Sequence, residues 1–267
     1  MFNTFIYNPL YNALVGILDV VPGGNVFLAV IILTIIVKTI LFPLTKKSII
    51  TQIKSRALND ELKEIKVEFK NDREKLGRKT LELYRKHKIN PFASLFLIII
   101  QIPIIFALFY IFAQSGLPTI NSEILYSFIP TPESVQMTIA GFDLTQKSFF
   151  FAFLAAVTQF FYMKRILVTI PPKKKEIIKK DVNEKKKDDF VEDITKAMNA
   201  QMLYVLPVII FFAGYGFSAV VALYWTVSNL YTYLQDIYIK KNMKDSGDGD
   251  MGGDQFEGKD TIVVKTS

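Results

Sequence analysis

One ammonium group stands inside an apolar stretch of this chain, and it is the side chain with the clearest chemical capacity. Lys38 lies in the sequence IIVKTILFPLTKKS, and residues 26–44 around it are mainly apolar. A charge at the centre of a membrane-spanning helix costs roughly 2.5–3.5 kcal/mol on insertion scales, so such charges usually serve function. Two interpretations of Lys38 are open from this position alone: an anchor that snorkels to the head groups, and a fixed charge that binds an anionic group.

Uncharged polar side chains recur in the apolar blocks and could surround such a charge. Thr34 precedes Lys38 by four residues and therefore lies on the same face of a helix. The polar residues of the later blocks are Gln101, Gln159, Thr226, Ser228 and Asn229. The first four blocks contain no Asp or Glu, and Asp236 in the last block is the nearest candidate partner for the positive charges there. A lysine without a deep carboxylate needs water or an incoming partner, which predicts a hydrated cavity open to the cytoplasm or to lipid.

Hydrolytic and transfer chemistry has no recognisable signature in the sequence. The chain contains no G-x-S-x-G, no H-E-x-x-H, no phosphate-binding Gly-x4-Gly-Lys loop and no pair of intramembrane Asp residues. The single histidine, His87, lies among basic residues, without a Cys or a second His to complete a metal site. We therefore expect a protein that is not an enzyme, with no metal site and no cofactor.

The elements that must position these residues are apolar blocks of about the length that crosses a bilayer. The block 26–44 would extend about 28 Å as a helix, against a hydrocarbon core of about 30 Å. The last block is interrupted by Gly214-Tyr215-Gly216, which predicts two helices joined by a tight turn. The expected fold class is all-α, a polytopic membrane protein with five transmembrane helices. Their predicted bounds are 26–44, 94–113, 149–170, 201–215 and 217–239.

The connecting segments differ sharply in Lys and Arg content, and this difference predicts orientation. Segment 45–93 holds 14 Lys and Arg and segment 164–200 holds 11, whereas 114–148 holds only Lys147 and 1–25 holds none. By the positive-inside rule, the N-terminus and the 114–148 loop face outside. The segments expected in the cytoplasm are 45–93, 171–200 and 240–267.

The first basic segment, 45–93, carries an amphipathic pattern on both sides of Asn71-Asp72. We predict a cytoplasmic hairpin of two antiparallel helices, with Asn71 or Asp72 capping the second. The apolar residues of the two stripes are Leu58, Leu62, Ile65, Phe69, Leu76, Leu83 and Tyr84. The basic exterior suits two partners equally, the phosphates of ribosomal RNA and anionic lipid head groups.

The three remaining segments outside the spans have distinct patterns. Residues 1–25 lack the basic start of a signal peptide. Their apolar pattern predicts an extracytoplasmic amphipathic helix that lies in the membrane interface. Residues 171–200 are rich in Lys, Glu and Asp and predict a mobile basic linker. Residues 240–267 predict a disordered, acidic cytoplasmic tail.

In the order of these features, the chain resembles the YidC/Oxa1/Alb3 family of membrane protein insertases from about Tyr7 to Lys241. The stretches LYRKHKINP, QIPIIFALF and LYWTVSN carry the resemblance in this order and at these separations, with LTIIVKTILFPLTKKS before them. The resemblance implies a short bacterial form in the plasma membrane, without the large extracytoplasmic domain of some members. The expected function is to insert nascent membrane proteins and help them fold, without nucleotide hydrolysis.

The resemblance also implies a positively charged groove that is open to the cytoplasm and lipid. An arginine supplies the charge in the family, and Lys38 stands at the matching position here. Lysine keeps the charge but lacks the planar fork of guanidinium. The other groove residues implied by motif position are Gln101, Gln159, Trp225, Ser228 and Asn229, with Thr34 beside Lys38.

The resemblance further implies nascent membrane proteins and the lipid bilayer as partners, with no small-molecule substrate. The Sec translocon and the ribosome, the latter through the two basic segments, are further candidate partners. Two alternative functions stay open from the residues: a small-molecule or ion transporter that uses Lys38 as an anion site, and a scaffold that holds partner helices. A transporter commonly shows internal repeats, and this sequence shows none between its first two spans and its last three.

Overall fold

A computed structural model of the chain describes residues 1–90, 92–114, 117–168, 201 and 203–245, which are mainly helical. This agrees with the all-α class. A π-helical turn, Asn3–Tyr7, precedes the first helix, and strands β1 (Thr138–Ile139) and β2 (Phe142–Asp143) form a short antiparallel hairpin. The helices are α1 Asn8–Val20, α2 Val26–Ile40, α3 Phe42–Ala57, α4 Asn59–Glu68, α5 Arg73–Lys86, α6 Phe92–Gln114, α7 Phe149–Val168, α8 Leu203–Gly216 and α9 Ala219–Asp245. The predicted linker 171–200 and most of the predicted tail lie outside the described residues.

The stretch around Lys38 is a bent pair of helices. Helix α2 ends at Ile40, and α3 begins at Phe42 with its axis turned by 64°. Pro43 has no amide hydrogen, so it cannot donate to the Thr39 carbonyl four residues earlier, and its ring disfavours a continuous helix. The predicted span 26–44 therefore contains a sharp bend near Leu41, which the apolar pattern did not reveal.

Only part of the five-span arrangement has support from helix length and composition. Among the described residues, α7 is long and apolar enough to cross a membrane by itself, over Phe149–Ile166. Helix α2 with α3 as far as Ser55 would form a second span if the bent pair counts as one. Ile99–Ala113 of α6 and the whole of α8 are apolar but shorter. The five-span topology therefore stays a prediction.

The break between α8 and α9 falls at Phe217 and Ser218, after the glycines that were expected to form it. Gly214 lies inside α8, where a Cβ atom would stand 3.5 Å from Cα of Ala152 in α7 and 3.6 Å from Cβ of Ala222 in α9. Small residues let apolar helices approach closely. A Cβ at Gly214 would thus be in ordinary contact with both helices, and the break predicted at Gly214-Tyr215-Gly216 is present but falls at Phe217 and Ser218.

The main hydrophobic core occupies one end of the helix bundle, which we call the capped end because α1 and residues 117–148 cover it. Helices α2, α6 and α9 contribute the buried apolar residues nearest to this cover, and Leu33 is the last such residue of α2. The core members from the helices are Tyr11, Leu14, Val15, Leu18, Val26, Ala29, Val30, Leu33, Ile104, Leu108, Ile111, Phe112, Phe151, Ala219, Val220, Ala222, Leu223 and Tyr224. Lys38 therefore lies just beyond the apolar core, on the side away from the cap.

Side chains of α1 form hydrogen bonds with the backbone of residues 117–148, the other part of the cap. Asn12, a polar residue of this predicted amphipathic helix, is buried. Its Nδ2 donates to the Ile124 carbonyl at 2.8 Å, and its Oδ1 accepts the Tyr126 amide hydrogen at 2.6 Å. The Tyr11 hydroxyl accepts the Asn121 amide hydrogen at 2.8 Å. These bonds give backbone groups of residues 121–126 partners within the chain and tie this loop to α1.

The cap also joins the first turns of α2 and α9. The Val26 amide donates to the Gln136 carbonyl at 3.1 Å, and the Ala219 amide donates to the Gln146 carbonyl at 2.7 Å. Both helices begin with amide groups that have no intrahelical partner, and the cap supplies the acceptors. Helices α2 and α9 therefore start at the same end of the bundle and run in the same direction.

Helices α4 and α5 form a separate hairpin with a small core of Leu58, Leu83 and Ile89. Of the two candidate caps, Asp72 occupies the position before α5, and its Oδ1 accepts the Lys75 amide hydrogen at 3.0 Å. This bond, and next the bond from the Lys75 side chain, lower the pKa of the Asp72 carboxyl below its usual value. The carboxylate form that caps the helix is thereby favoured.

We expect Gly24→Ala to destabilise the cap more than Gly141→Ala. Both glycines have positive φ, +60° and +84°, so alanine is strained at either position by about 1–2 kcal/mol. A Cβ at Gly24 would also overlap the Ser134 carbonyl, whereas nothing lies near a Cβ at Gly141. Thermal unfolding in detergent should show Tm lowered by about 4 °C for Gly141→Ala and at least about twice that for Gly24→Ala. Equal shifts would contradict the predicted overlap.

Candidate functional site

Three helices bring polar side chains together just beyond the apolar core. Lys38 of α2 donates from Nζ to Oε1 of Gln101 in α6 at 3.4 Å. Gln101 donates from Nε2 to the Tyr224 hydroxyl of α9 at 2.6 Å. Ser228, one turn further along α9, also forms a hydrogen bond with the Tyr224 hydroxyl. We call Lys38, Gln101, Tyr224 and Ser228 the polar cluster.

The ammonium of Lys38 meets an uncharged acceptor in this cluster. Its side chain is half-buried, and within the described part of the chain no carboxylate lies within ion-pair distance of it. The bond to Gln101 is long, and hydrogen bonds between two charged groups are shorter and stronger than those to neutral acceptors. Lys38 can therefore form a stronger bond with an anionic group that enters from outside the chain.

Asp236, the nearest candidate partner by sequence, is occupied by other cations. Its Oδ2 accepts from Nε of Arg165 in α7 at 2.8 Å, and its Oδ1 accepts from Nζ of Lys240 at 2.8 Å. The Arg165 guanidinium also lies 5.3 Å from the centre of the Tyr233 ring. The carboxylate is almost fully buried, so this network fastens α7 to α9. It does not neutralise Lys38.

Two other predicted site residues, Thr34 and Asn229, lie outside the polar cluster. Thr34 is buried, and its hydroxyl donates to the Val30 carbonyl of its own helix at 2.6 Å. Asn229 is buried between α9 and α7, where Nδ2 lies 3.4 Å from both the Ala155 carbonyl and the Thr158 hydroxyl. The structure thus brings Lys38, Gln101 and Ser228 together and places Thr34 one turn nearer the cap. The Asn229 amide instead links α9 to α7.

Gln159 and Trp225 complete the predicted set. Gln159 is buried on α7, next to Thr158. Trp225 is half-buried, packs on the main core and meets Phe217 edge to face with ring centres 6.4 Å apart. Direct contact of either side chain with the polar cluster is not observed among the described residues, so their place in a groove stays a prediction.

Sequence reasoning missed Tyr224 and Gln235. Tyr224 is almost fully buried and links Gln101 to Ser228. A usable signal was present, because Tyr224 precedes Ser228 by four residues and shares its helix face. Gln235 is also buried, and its Nε2 donates to the Lys38 carbonyl at 3.2 Å. Its spacing from Ser228, seven residues, places it on that face as well.

Groups that could hold a metal ion are not evident in the described ranges. No cluster of three or more His, Asp or Glu side chains forms there. His87 lies at the end of the α4–α5 hairpin, with Nε2 3.6 Å from the Glu61 carboxylate. This contact is an ion pair only when the histidine is protonated, and it is one of the interactions of the hairpin.

Comparisons with known proteins relate nearly the whole chain to one family. Residues 17–246 match the family model described as 60Kd inner membrane protein. The chain is 28% identical over 240 residues to the membrane protein insertase YidC of Fusobacterium nucleatum, which covers 89% of this chain and 98% of that protein. It is 27% identical over 243 residues to the membrane protein insertase YidC of Psychromonas ingrahamii, covering 91% of this chain and 36% of that protein. The YidC of Geotalea daltonii is 27% identical over 219 residues, which are 82% of this chain and 34% of that protein.

We expect Asp236→Ala to destabilise the bundle strongly. Removing one partner of a buried ion pair leaves uncompensated charge and typically costs about 3–5 kcal/mol. Thermal unfolding in detergent should therefore show Tm lowered by at least about 6 °C. Glu82→Gln is the matched control, because Glu82 pairs with Lys79 at 2.8 Å on the exposed surface of α5. A loss no greater than that of the control would show that the Asp236 network is not needed for stability.

Proposed function

Since this chain belongs to the YidC/Oxa1/Alb3 family of membrane protein insertases, we propose that it inserts nascent membrane proteins through a hydrated groove whose fixed charge is Lys38. The observation that carries the proposal is the half-buried ammonium of Lys38, whose one partner among the described residues is the neutral Gln101 amide, at a long 3.4 Å. An anionic group on a substrate would be the stronger partner. Chaperone action during folding belongs to the same proposal.

In this proposal the chain crosses the bacterial inner membrane five times, with its N-terminus outside and its C-terminus in the cytoplasm. The shared direction of α2 and α9 supports this arrangement, because both start at the cap. The basic hairpin α4–α5 follows α3 at the other end of α2, as the positive-inside rule requires. The capped end is then extracytoplasmic, and the groove opens toward the cytoplasm.

In this proposal the apolar core closes the groove at the capped end, and the polar cluster lies toward its open, cytoplasmic end. Buried side chains fill the outer half of α2 as far as Leu33, which closes this route to the outside. Lys38 follows about 7.5 Å further along the helix. A polar segment of a substrate that enters from the cytoplasm would therefore rest part-way across the membrane, beside the ammonium. The hydrocarbon distance left to cross is shortened accordingly.

The acidic side chains of such a segment would be attracted to Lys38 more strongly in the groove than in bulk water. Two opposite charges about 4 Å apart interact by roughly 1 kcal/mol in water and about 4 kcal/mol at an effective dielectric constant of 20. Gln101 keeps its oxygen toward Lys38 because its amide nitrogen donates to Tyr224. The amide can therefore steady the ammonium without neutralising it.

Apolar side chains around the polar cluster offer a place for the hydrophobic part of the substrate. On α2, Ile36 and Ile40 are exposed, and on α6, Ile99 and Ile102 are exposed. A substrate helix that leaves the groove at this surface would exchange water for lipid contacts. Burial of its apolar area supplies the driving force, so nucleotide hydrolysis is not required. The Sec translocon and the ribosome are proposed as further partners, the latter through the basic segments.

Reconstitution of the purified chain alone tests insertion directly. We expect liposomes that contain it to protect the acidic outward tail of a small single-span substrate from protease added outside. Protein-free liposomes of the same lipid composition are the control. A tail that stays accessible to protease at the level of the control would contradict the insertase function. It would leave a scaffold or a small-anion transporter as the alternative.

Substitution of Lys38 tests the proposed groove charge. We expect Lys38→Arg to keep activity, and Lys38→Ala and Lys38→Glu to lower insertion of substrates with acidic tails by about tenfold or more, as for loss of a bond between charged groups. Substrates with neutral tails should be affected less. Lys46→Ala is the matched control, because Lys46 is an exposed lysine on α3. Full activity of both Lys38→Ala and Lys38→Glu would remove Lys38 from the mechanism.

A further inference from the structure

The last turn of α2 holds the backbone of Lys38 and ends at the bend. Carbonyl groups in the final turn of a helix have no intrahelical amide donor and need another partner. Pro43 cannot donate to the Thr39 carbonyl, and the Leu41 amide instead donates to the Thr39 and Val37 carbonyls. The Lys38 carbonyl, between these two, is the group of this turn that can take a donor from another helix.

Helix α9 supplies bonds to this turn from one of its faces. The buried Gln235 donates from Nε2 to the Lys38 carbonyl at 3.2 Å. One turn earlier on α9, the Tyr231 hydroxyl lies 2.7 Å from the Thr39 hydroxyl, so that these two groups share a hydrogen bond. Adjacent residues of α2 are therefore tied to adjacent turns of α9.

Of the two polar atoms of the Gln235 side chain, the described residues give a hydrogen-bond partner to Nε2 but not to Oε1. Its Oε1 is buried and has no hydrogen-bond partner among the residues that the structure describes. An unpaired buried acceptor costs free energy that methionine, of nearly the same shape, would avoid. The polar interaction by which Gln235 can stabilise this position is consequently the hydrogen bond from its Nε2 to the Lys38 carbonyl.

We infer that Gln235 is a positioning residue for the groove charge: it fixes the backbone of Lys38, while Gln101 holds the ammonium at the other end of the same side chain. This inference rests on the proposed function, in which Lys38 meets the substrate. A lysine side chain is a point charge on a flexible four-carbon stem. Two amides from two helices restrict both ends of that stem and set where the charge lies in the groove.

A double-mutant cycle on insertion tests whether Gln235 acts through Lys38. We expect Gln235→Met to lower insertion of a substrate with an acidic tail about threefold to tenfold, as for loss of one hydrogen bond. In the Lys38→Ala background, the same substitution should cause no further loss. Thr158→Val is the matched control, since Thr158 is a buried polar residue of α7 whose hydroxyl donates to the Ala155 carbonyl, and its effect should be the same in both backgrounds. Equal losses from Gln235→Met in both backgrounds would overturn the inference.

A distance measurement tests the same contact without relying on insertion. The chain has no Cys, so spin labels can be placed specifically at Ile40→Cys on α2 and Ile99→Cys on α6, both exposed positions. We expect a narrow distance distribution that broadens with Gln235→Met and also with Gln235→Asn, whose shorter side chain cannot reach the carbonyl. Thr158→Val should leave the distribution narrow. A distance distribution that neither Gln235 substitution broadens would overturn the inference. The proposed function fails separately, if liposomes with the unsubstituted chain leave the substrate tail as accessible to protease as protein-free liposomes do.

Discussion

The described part of the structure keeps one positive charge beside an apolar core without pairing it with a carboxylate, and the arrangement around it depends on this. Lys38 is half-buried, and its bond in the polar cluster goes to a neutral amide. Pairing with a neutral group leaves most of the desolvation cost of the ammonium uncompensated, so the arrangement needs water or an incoming anion. The surrounding helices must therefore hold the charge at a fixed depth and still leave it accessible.

The bend of α2 and the position of the core meet these two needs together. Apolar side chains close the bundle from the cap as far as Leu33, and the helix ends seven residues later at Ile40. Because α3 turns away by 64°, it does not prolong the path of α2 past Lys38. Contacts from α6 and α9 then replace the rigidity that a continuous helix would have given, through Gln101, Tyr231 and Gln235.

Much of this arrangement follows from sequence, and the exceptions have a common physical origin. The apolar blocks and the position of Lys38 were readable from composition and spacing, and the family expected from the motifs is confirmed by the match over residues 17–246. The burial of Tyr224 and Asn12 could not be read from the sequence, because a tyrosine near a span end and an asparagine on an amphipathic helix usually face the interface. Their burial depends on partners more than 100 residues away, Gln101 and the 117–148 segment, which helical periodicity does not report.

The partners of Asp236 explain how the charge on Lys38 can persist in a chain that also places a buried carboxylate on α9. A carboxylate attracts every cation near it, and a free Asp236 would favour any conformation that brought Lys38 within reach. Arg165 and Lys240 each stand 2.8 Å from one of its two oxygens, so both oxygens already have charged donors. Exchange of either donor for Lys38 would break an ion pair of an almost fully buried carboxylate, which costs free energy. The network that links α7 to α9 therefore also keeps Asp236 from neutralising Lys38.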